Sequence, residues 1–306
     1  DGETALHIAA RHGNIKMMQA LMEDGGDLMM QSKDGNIPIF LATEAGNFAV
    51  CKELLSQYTE QQINMQRKDN GDYLLHMACR RKDQELAKLF LDNGANVNAQ
   101  NEEGHTALHI AAFEGDEAMI KYLQTAKADA NIVDKLDRSP LHISAEKGQT
   151  NVVEVLVDKF KASVLARTKD GSTLMHIASQ CGHPETALTF LKKGVPLHMP
   201  NKAGAVCLHA AAKRGHTAVV KALLQKGAVV DARTKDNYTA LHIAVQFCKP
   251  MVVQTLLGFG AQVGIRGGKN LETPLHIAAR VKEGDKVAEM LLKSGAEVNA
   301  PQEVRM

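Results

Sequence analysis

The chain is predicted to be all-α, a solenoid of about nine helix-turn-helix units, and three features of its 306 residues predict this. First, a histidine returns at His7, His76, His109, His142, His176, His209, His242 and His276, in steps of 33 or 34 residues apart from one step of 69. Phe40 stands inside that long step, 33 residues after His7 and 36 before His76, so the register continues through it. Second, small apolar residues follow each histidine, as in Ile8-Ala9-Ala10, Ile110-Ala111-Ala112 and Ala210-Ala211-Ala212. Third, a glycine lies six residues beyond the histidine position at Gly13, Gly46, Gly115, Gly148, Gly182 and Gly215. Units of this length cannot bury an apolar face alone and must stack on their neighbours.

Each element of a unit has a mechanical reason. A turn such as Asp170-Gly171 opens it, and a hydroxyl then stands where the free N–H groups of a first helix need a cap. Thr4, Thr106, Ser139, Thr173, Thr239 and Thr273 fill that place. Pro140 and Pro274 follow the cap, where the missing N–H of proline costs nothing. The small residues after the histidine let a short first helix pack closely, and the glycine ends it in a left-handed conformation. A second apolar-periodic run follows, such as Val219-Val220 with Ala222-Leu223-Leu224, or Val152-Val153 with Val155-Leu156-Val157, and reads as a second helix. Gly25, Gly94, Gly194, Gly227, Gly260 and Gly295 close it. The repeats then run 1–33, 34–69, 70–102, 103–135, 136–169, 170–202, 203–235, 236–269 and 270–306, as one array without a linker.

The stretch Thr273-Pro274-Leu275-His276-Ile277-Ala278 resembles the Thr-Pro-Leu-His-x-Ala signature of ankyrin repeats, and Gly94-Ala95-Asn96-Val97-Asn98-Ala99 resembles that family's inter-repeat loop. The resemblance spans the whole chain. It implies helix pairs linked by β-hairpin-like fingers, stacked in a right-handed curve whose concave side is lined by first helices and finger tips. It also implies a binding module and no enzyme. The residues Arg80, Arg81, Phe113, Lys213, Arg214, Phe247 and Arg280, at the ends of first helices, are then candidates to line that concave side.

Several positions depart from the pattern. Repeat two has Ile37-Pro38-Ile39-Phe40 for the signature and Gln57 to Gln62 in place of the Gly-Ala loop, three residues longer, so a bulge is expected. Tyr73 and Val206 replace the capping hydroxyl, at an expected cost of about 1 kcal/mol each. Asp137 and Asn237 replace the finger glycine with residues that tolerate positive φ, whereas Leu271 does not, and its finger carries an extra residue. The first and last units show consensus-like apolar residues where a terminal cap would be polar, for example Leu6, Ile8 and Met17, and Met290 to Leu292. The expectation is a piece of a longer array, with further repeats of the same chain packing on both ends.

A formal net charge of +1, from 36 basic and 35 acidic residues, excludes the broad basic bias of a nonspecific nucleic-acid coat. Five scattered cysteines without CxxC spacing suggest neither a disulfide framework nor a zinc ribbon, and fit a reducing cytoplasm. No apolar run reaches the roughly 18 to 20 residues of a bilayer-spanning helix. Of the 13 histidines, eight sit in the repeat signature, where an imidazole can bridge turns and pin neighbouring fingers. No metal, no cofactor and no catalytic group are predicted, because no acid, base or nucleophile finds a convergent partner. The patch Met17, Met18, Met22, Met29 and Met30 reads either as repeat core or as an adaptable partner surface.

Two residues before the finger glycine, lysine recurs at Lys33, Lys135, Lys169, Lys202, Lys235 and Lys269, and arginine two residues earlier at Arg67, Arg167 and Arg233. Stacking would align these as a basic stripe, densest over Arg167, Lys169, Lys202, Arg233, Lys235 and Lys269, able to meet an acidic protein partner. The alternative is a solvated edge neutralised locally by Asp34, Asp170 and Asp236.

Segments 134–142 (DKLDRSPLH), 179–187 (SQCGHPETA) and 201–209 (NKAGAVCLH) together resemble the ankyrin domain of TRPN-type (NOMPC) mechanosensitive channels of the transient-receptor-potential family. That resemblance implies a cytoplasmic array tethering a cation channel to microtubules and acting as a gating spring. The alternative is a general adaptor that grips a folded partner or a peptide on its concave face.

Overall fold

The computed structural model describes residues 2–58 and 60–302, with Glu60 and Gln61 described in the backbone alone. Contacts divide the chain into two units, one running to Ile143 with Val155–Ala162, the other made of Ser144–Glu154 and the chain from Ser163 onward. The first holds α1 (Ala5–His12), α2 (Ile15–Glu23), α3 (Pro38–Ala45), α4 (Phe48–Leu55), α5 (Glu60–Ile63), α6 (Leu74–Arg81), α7 (Gln84–Asp92), α8 (Ala107–Glu114) and α9 (Glu117–Thr125). Helices α10 (Pro140–Lys147) and α11 (Thr150–Asp158) give residues to both units. The second holds α12 (Leu174–Cys181), α13 (Pro184–Lys192), α14 (Cys207–Arg214), α15 (Thr217–Gln225), α16 (Ala240–Gln246), α17 (Pro250–Gly258), α18 (Pro274–Arg280) and α19 (Asp285–Lys293).

Within each unit the helices form two layers. First helices pack on first helices, α1 on α3, α3 on α6 and α6 on α8, and likewise α12, α14, α16 and α18 in turn. Second helices pack as α2, α4 and α7, and as α13, α15, α17 and α19. Fully buried Leu108 with Ala112 in α8, and Leu208 with Ala212 in α14, show how this works: leucine fills the space between layers while alanine lets neighbouring first helices approach. Finger turns are closed by paired main-chain bonds: Asn201 N–H to the Ala205 carbonyl and Gly204 N–H to that of Asn201, both at 2.9 Å, and Thr234 N–H to the Tyr238 carbonyl at 3.0 Å with Asn237 N–H to that of Thr234 at 2.9 Å. Arg167 with Thr173 and Gly267 with Glu272 form isolated antiparallel bridges.

The turn glycines meet two demands at once. Gly182 has φ +87, which an L side chain resists, and a Cβ there would lie 2.7 Å from Nδ1 of His216. That imidazole is in place because its Nε2 lies 2.9 Å from the Gln180 carbonyl, satisfying an end of α12 from the next repeat. His183 does the same for the Glu146 carbonyl at 3.0 Å. At the equivalent positions Lys82 (φ 57) and Cys248 (φ 47) adopt the left-handed conformation without being glycine.

Three departures resolve differently from their sequence reading. Leu271 does take positive φ, at 46°, and the extra residue of its finger shifts the tip by one position. At Tyr73 and Val206 the hydroxyl is gone, but the other half of the cap survives: the Tyr73 N–H donates to Nδ1 of His76 at 3.1 Å and the Val206 N–H to Nδ1 of His209 at 3.0 Å. The lengthened loop of repeat two winds into α5; Thr59 lies outside the described residues, as do Asp1 and residues 303–306 of the ninth repeat. The methionine patch divides, with Met18 fully buried while Met17 and Met30 are 49% and 48% exposed.

Candidate functional site

The signature histidines are used inside the fold. Nδ1 accepts the N–H of the cap residue, at 3.1 Å from Thr4, Thr106 and Thr239 and 3.2 Å from Thr173, with the cap hydroxyl 2.8 to 2.9 Å from the same nitrogen. Thr273 and Ser139 stand in the same relation to His276 and His142. With its lone pair at Nδ1 engaged, the ring carries its proton on Nε2 and donates it to a finger carbonyl of the following repeat. His7 reaches Asn36 at 2.8 Å, His76 reaches His105 at 2.8 Å, His109 reaches Arg138 at 2.9 Å and His176 reaches Ala205 at 2.8 Å. His209 lies 3.0 Å from the Ala232 carbonyl and 3.2 Å from that of Tyr238, and His242 lies 3.2 Å from that of Glu272. Nε2 of His142 is buried without such a partner. Burial drives His109, His142 and His242 down to about 4, and lowers His76, His176 and His209 as well. Each of these rings is neutral, and all but His142 are bonded at both nitrogens. Among the described residues no three His, Cys, Asp or Glu side chains gather where they could hold a metal ion.

Main-chain bonds join several successive finger tips: Lys135 N–H to the Glu103 carbonyl, Lys202 to Asp170 and Lys235 to Ala203, all at 3.0 Å. The lysine position is thus the donor rung of a ladder, which fixes where Lys202 and Lys235 emerge. In the next finger Gly268 takes the rung, donating to the Asp236 carbonyl at 2.7 Å. The inserted residue therefore puts Lys269 one position out of the row, a correction to the expected stripe. Arg167 is exposed too, but its guanidinium is engaged, Nη1 donating to the Gly171 carbonyl at 3.1 Å and to that of Pro200 at 3.0 Å. Lys169, Lys202, Arg233, Lys235 and Lys269 are exposed.

The candidate concave residues separate in the same way. Arg80 donates to Asp72 at 2.9 Å, Arg280 to Glu272 at 2.6 Å, and Arg81 to the Glu44 carbonyl, so these three serve the fold. Arg214 is exposed and Phe113 is 49% exposed. Lys213 and Phe247 do line a groove, of about 430 Å³, across α12, α14, α16 and their fingers in the second unit. Nζ of Lys213 sits 5.3 Å from the centre of the Phe247 ring, a cation–π contact. Other lining residues have a different or no role in the sequence analysis: Asp170 and Asp236 on the finger tips, which read there as neutralisers of lysine, Tyr238 on one wall, and Ala203, Ala205 and Ala210 in the middle repeat. The alanines are the legible signal, because the flanking repeats carry Asp170 and Asp236, Ser172 and Tyr238, and Ile177 and Ile243 at the same register. Partial burial works against ionisation of Asp170, but hydrogen bonds from Thr168 and from the Ser172 hydroxyl, at 2.8 Å, hold its carboxyl below the ordinary range.

Stacked helix pairs whose polar signature residues are consumed in joining repeats, with an open groove over first helices and fingers, define a protein-interaction scaffold. Family profiles described as "Ankyrin repeats (3 copies)" match residues 1–67, 110–201, 188–267 and 208–302, and "Ankyrin repeats (many copies)" matches 75–124. The chain belongs to the ankyrin-repeat family. It is 29% identical over 101 residues to the transient receptor potential cation channel subfamily A member 1 homolog of Caenorhabditis elegans, a match covering 33% of this chain and 8% of that protein. It is 33% identical over 106 residues to human SH3 and multiple ankyrin repeat domains protein 2, covering 35% of this chain and 6% of that protein. The matched stretch is thus a small part of either relative. The crystal structure of the human ASB11 ankyrin repeat domain superposes with a TM-score of 0.64 at 26% identity, covering 73% of this chain and 98% of that one. Among the described residues no helix is long and apolar enough to cross a membrane.

Proposed function

We propose that this chain is a stretch of the cytoplasmic ankyrin array of a mechanically gated cation channel, where it acts as an elastic tether to the cytoskeleton and as a protein-binding surface. The observation that supports this best is the repeated joint inside each unit. One imidazole-to-carbonyl bond and one finger-to-finger main-chain bond recur between successive repeats, beside helix packing. Small, similar interfaces connected in series share a load, and their compliance adds with repeat number. The likeness to a transient-receptor-potential channel over a third of the chain supports the same reading. Further repeats of the same chain would cover the apolar side chains of the first pair, Ile8 and Met17, each 49% exposed.

Extension of the tethered chain under load tests it. The expected result is a reversible, linear stretch before any repeat unfolds; unfolding with no such regime contradicts the tether. Microtubules are the proposed cytoskeletal partner, met by the lysine row. Reversal of charge at Lys169, Lys202 and Lys235 is then expected to weaken co-sedimentation with microtubules, and unchanged co-sedimentation removes the row from the interface. The groove of the second unit favours a second reading, an adaptor whose work is to grip a partner segment.

A further inference from the structure

The groove over α12, α14 and α16 has a chemical character of its own. Along the finger tips it presents Asp170, Ala203 and Asp236, one per repeat, so two carboxylates flank a neutral centre. Beneath that centre Ala205 and Ala210 leave a dent that the corresponding Ser172 and Ile177, or Tyr238 and Ile243, would fill. The aromatic faces of Tyr238 and Phe247 border it. The finger lysines do not line the groove, and its one lining lysine, Lys213, is stacked on Phe247. The two aspartates stand two repeats apart. With neighbouring helices roughly 8 to 10 Å apart, that is about 16 to 20 Å, the reach of about five or six extended residues.

We propose that this groove takes an extended segment of a partner protein in the polyproline II conformation, whose three residues per turn bring side chains three apart to one face, with a bulky apolar side chain seated over Ala203, Ala205 and Ala210 and a basic side chain three residues to either side, facing Asp170 and Asp236. The centre supplies apolar burial and the rims supply sign: an acidic segment would meet two carboxylates. Arginine suits the rims better than lysine, since its planar fork pairs with a carboxylate through two N–H groups. The inference rests on the chain being a protein-binding scaffold. It is independent of the tether, whose pulling test a failure here would leave standing.

The test uses the whole chain carrying ¹³C-labelled alanine methyl groups, titrated with the peptide acetyl-Arg-Gly-Ala-Leu-Ala-Gly-Arg-amide. Saturable shifts of the Ala203, Ala205 and Ala210 methyl signals are expected. The same peptide with glutamate for both arginines, or with glycine for the leucine, is expected to bind about ten times more weakly, a difference of about 1.4 kcal/mol. Asp170→Asn with Asp236→Asn is expected to remove the preference for arginine over glutamate. Ala210→Ile, which installs the residue of both flanking repeats, is expected to abolish the shifts, with an unchanged thermal melt as the control for folding. No saturable shift with the arginine peptide, equal binding of the glutamate peptide, or an unaltered preference in the double asparagine variant would each overturn the proposal.

Discussion

A single imidazole carries much of the joint between repeats, and its chemistry makes the joint sensitive to acid. Nδ1 is occupied by the cap N–H and Nε2–H by the finger carbonyl, so the neutral ring fits both and a protonated ring fits only one. Burial adds to this, and His109, His142 and His242 fall to about 4 from an ordinary value of 6.5. The unfolded chain therefore binds protons first as pH drops. The contribution of these rings is complete above about 6.5 and is lost as pH falls toward about 4, at up to about 1.4 kcal/mol per pH unit for each ring. Urea midpoints measured from pH 7 to 4.5 are expected to fall steeply below 6.5, whereas a flat profile would mean the rings are not held neutral. Where the hydroxyl partner is missing, it can be restored: Val206→Thr is expected to raise unfolding free energy by about 1 kcal/mol, read in the same titration. The role of these histidines was legible in their spacing. Its mechanism was not, because the finger carbonyls that the rings reach lie 29 or 30 residues away and belong to a different residue type each time.

At the scale of elements, the turn between paired helices requires a left-handed residue at one fixed place. Glycine fills it in most repeats, and Cys248 accepts φ 47 where glycine would be unstrained. Cys248→Gly is expected to stabilise the chain by about 1 kcal/mol, with its weak bond from Sγ to the Lys282 carbonyl, 3.2 Å, as the only loss in view. Gly215→Ala is expected to do the reverse, since φ there is +84 and a Cβ would lie 2.8 Å from Cδ of Lys249. Thermal denaturation of the two variants should give shifts of opposite sign; shifts in the same direction would contradict the assignment of the turn. Helix starts, helix ends and the two helix layers were readable because each follows from local chemistry repeated in register. The fingers were less so. Leu271 was expected to refuse positive φ, yet the inserted residue leaves the finger no other way to close. That same insertion removed Lys269 from a row that counting in the sequence had placed it in.

Across the whole molecule, function is distributed over surfaces, and the signals there are differences between repeats more than the repeats themselves. The consensus histidines are spent on stacking, through their bonds to the next finger, while Arg80 and Arg280 are held within their own repeats by ion pairs with Asp72 and Glu272. What remains to bind a partner is where one repeat is unlike its neighbours: three alanines between bulkier flanks, and aspartates facing the groove on either side. In the sequence Asp170 and Asp236 enter only as local neutralisers of lysine, the alternative to a basic stripe, because adjacency along the chain does not reveal which side of a finger a carboxylate lines. Stability in such a stack is a sum of repeats and their joints, so damage should remain near its origin. Hydrogen exchange read by mass spectrometry on the His209→Ala chain tests this most directly. Lost protection is expected in the segments that His209 ties together, α14 and the finger from Ala232 to Tyr238, with α1 to α4 unchanged. Loss of protection spread evenly along the chain would contradict it.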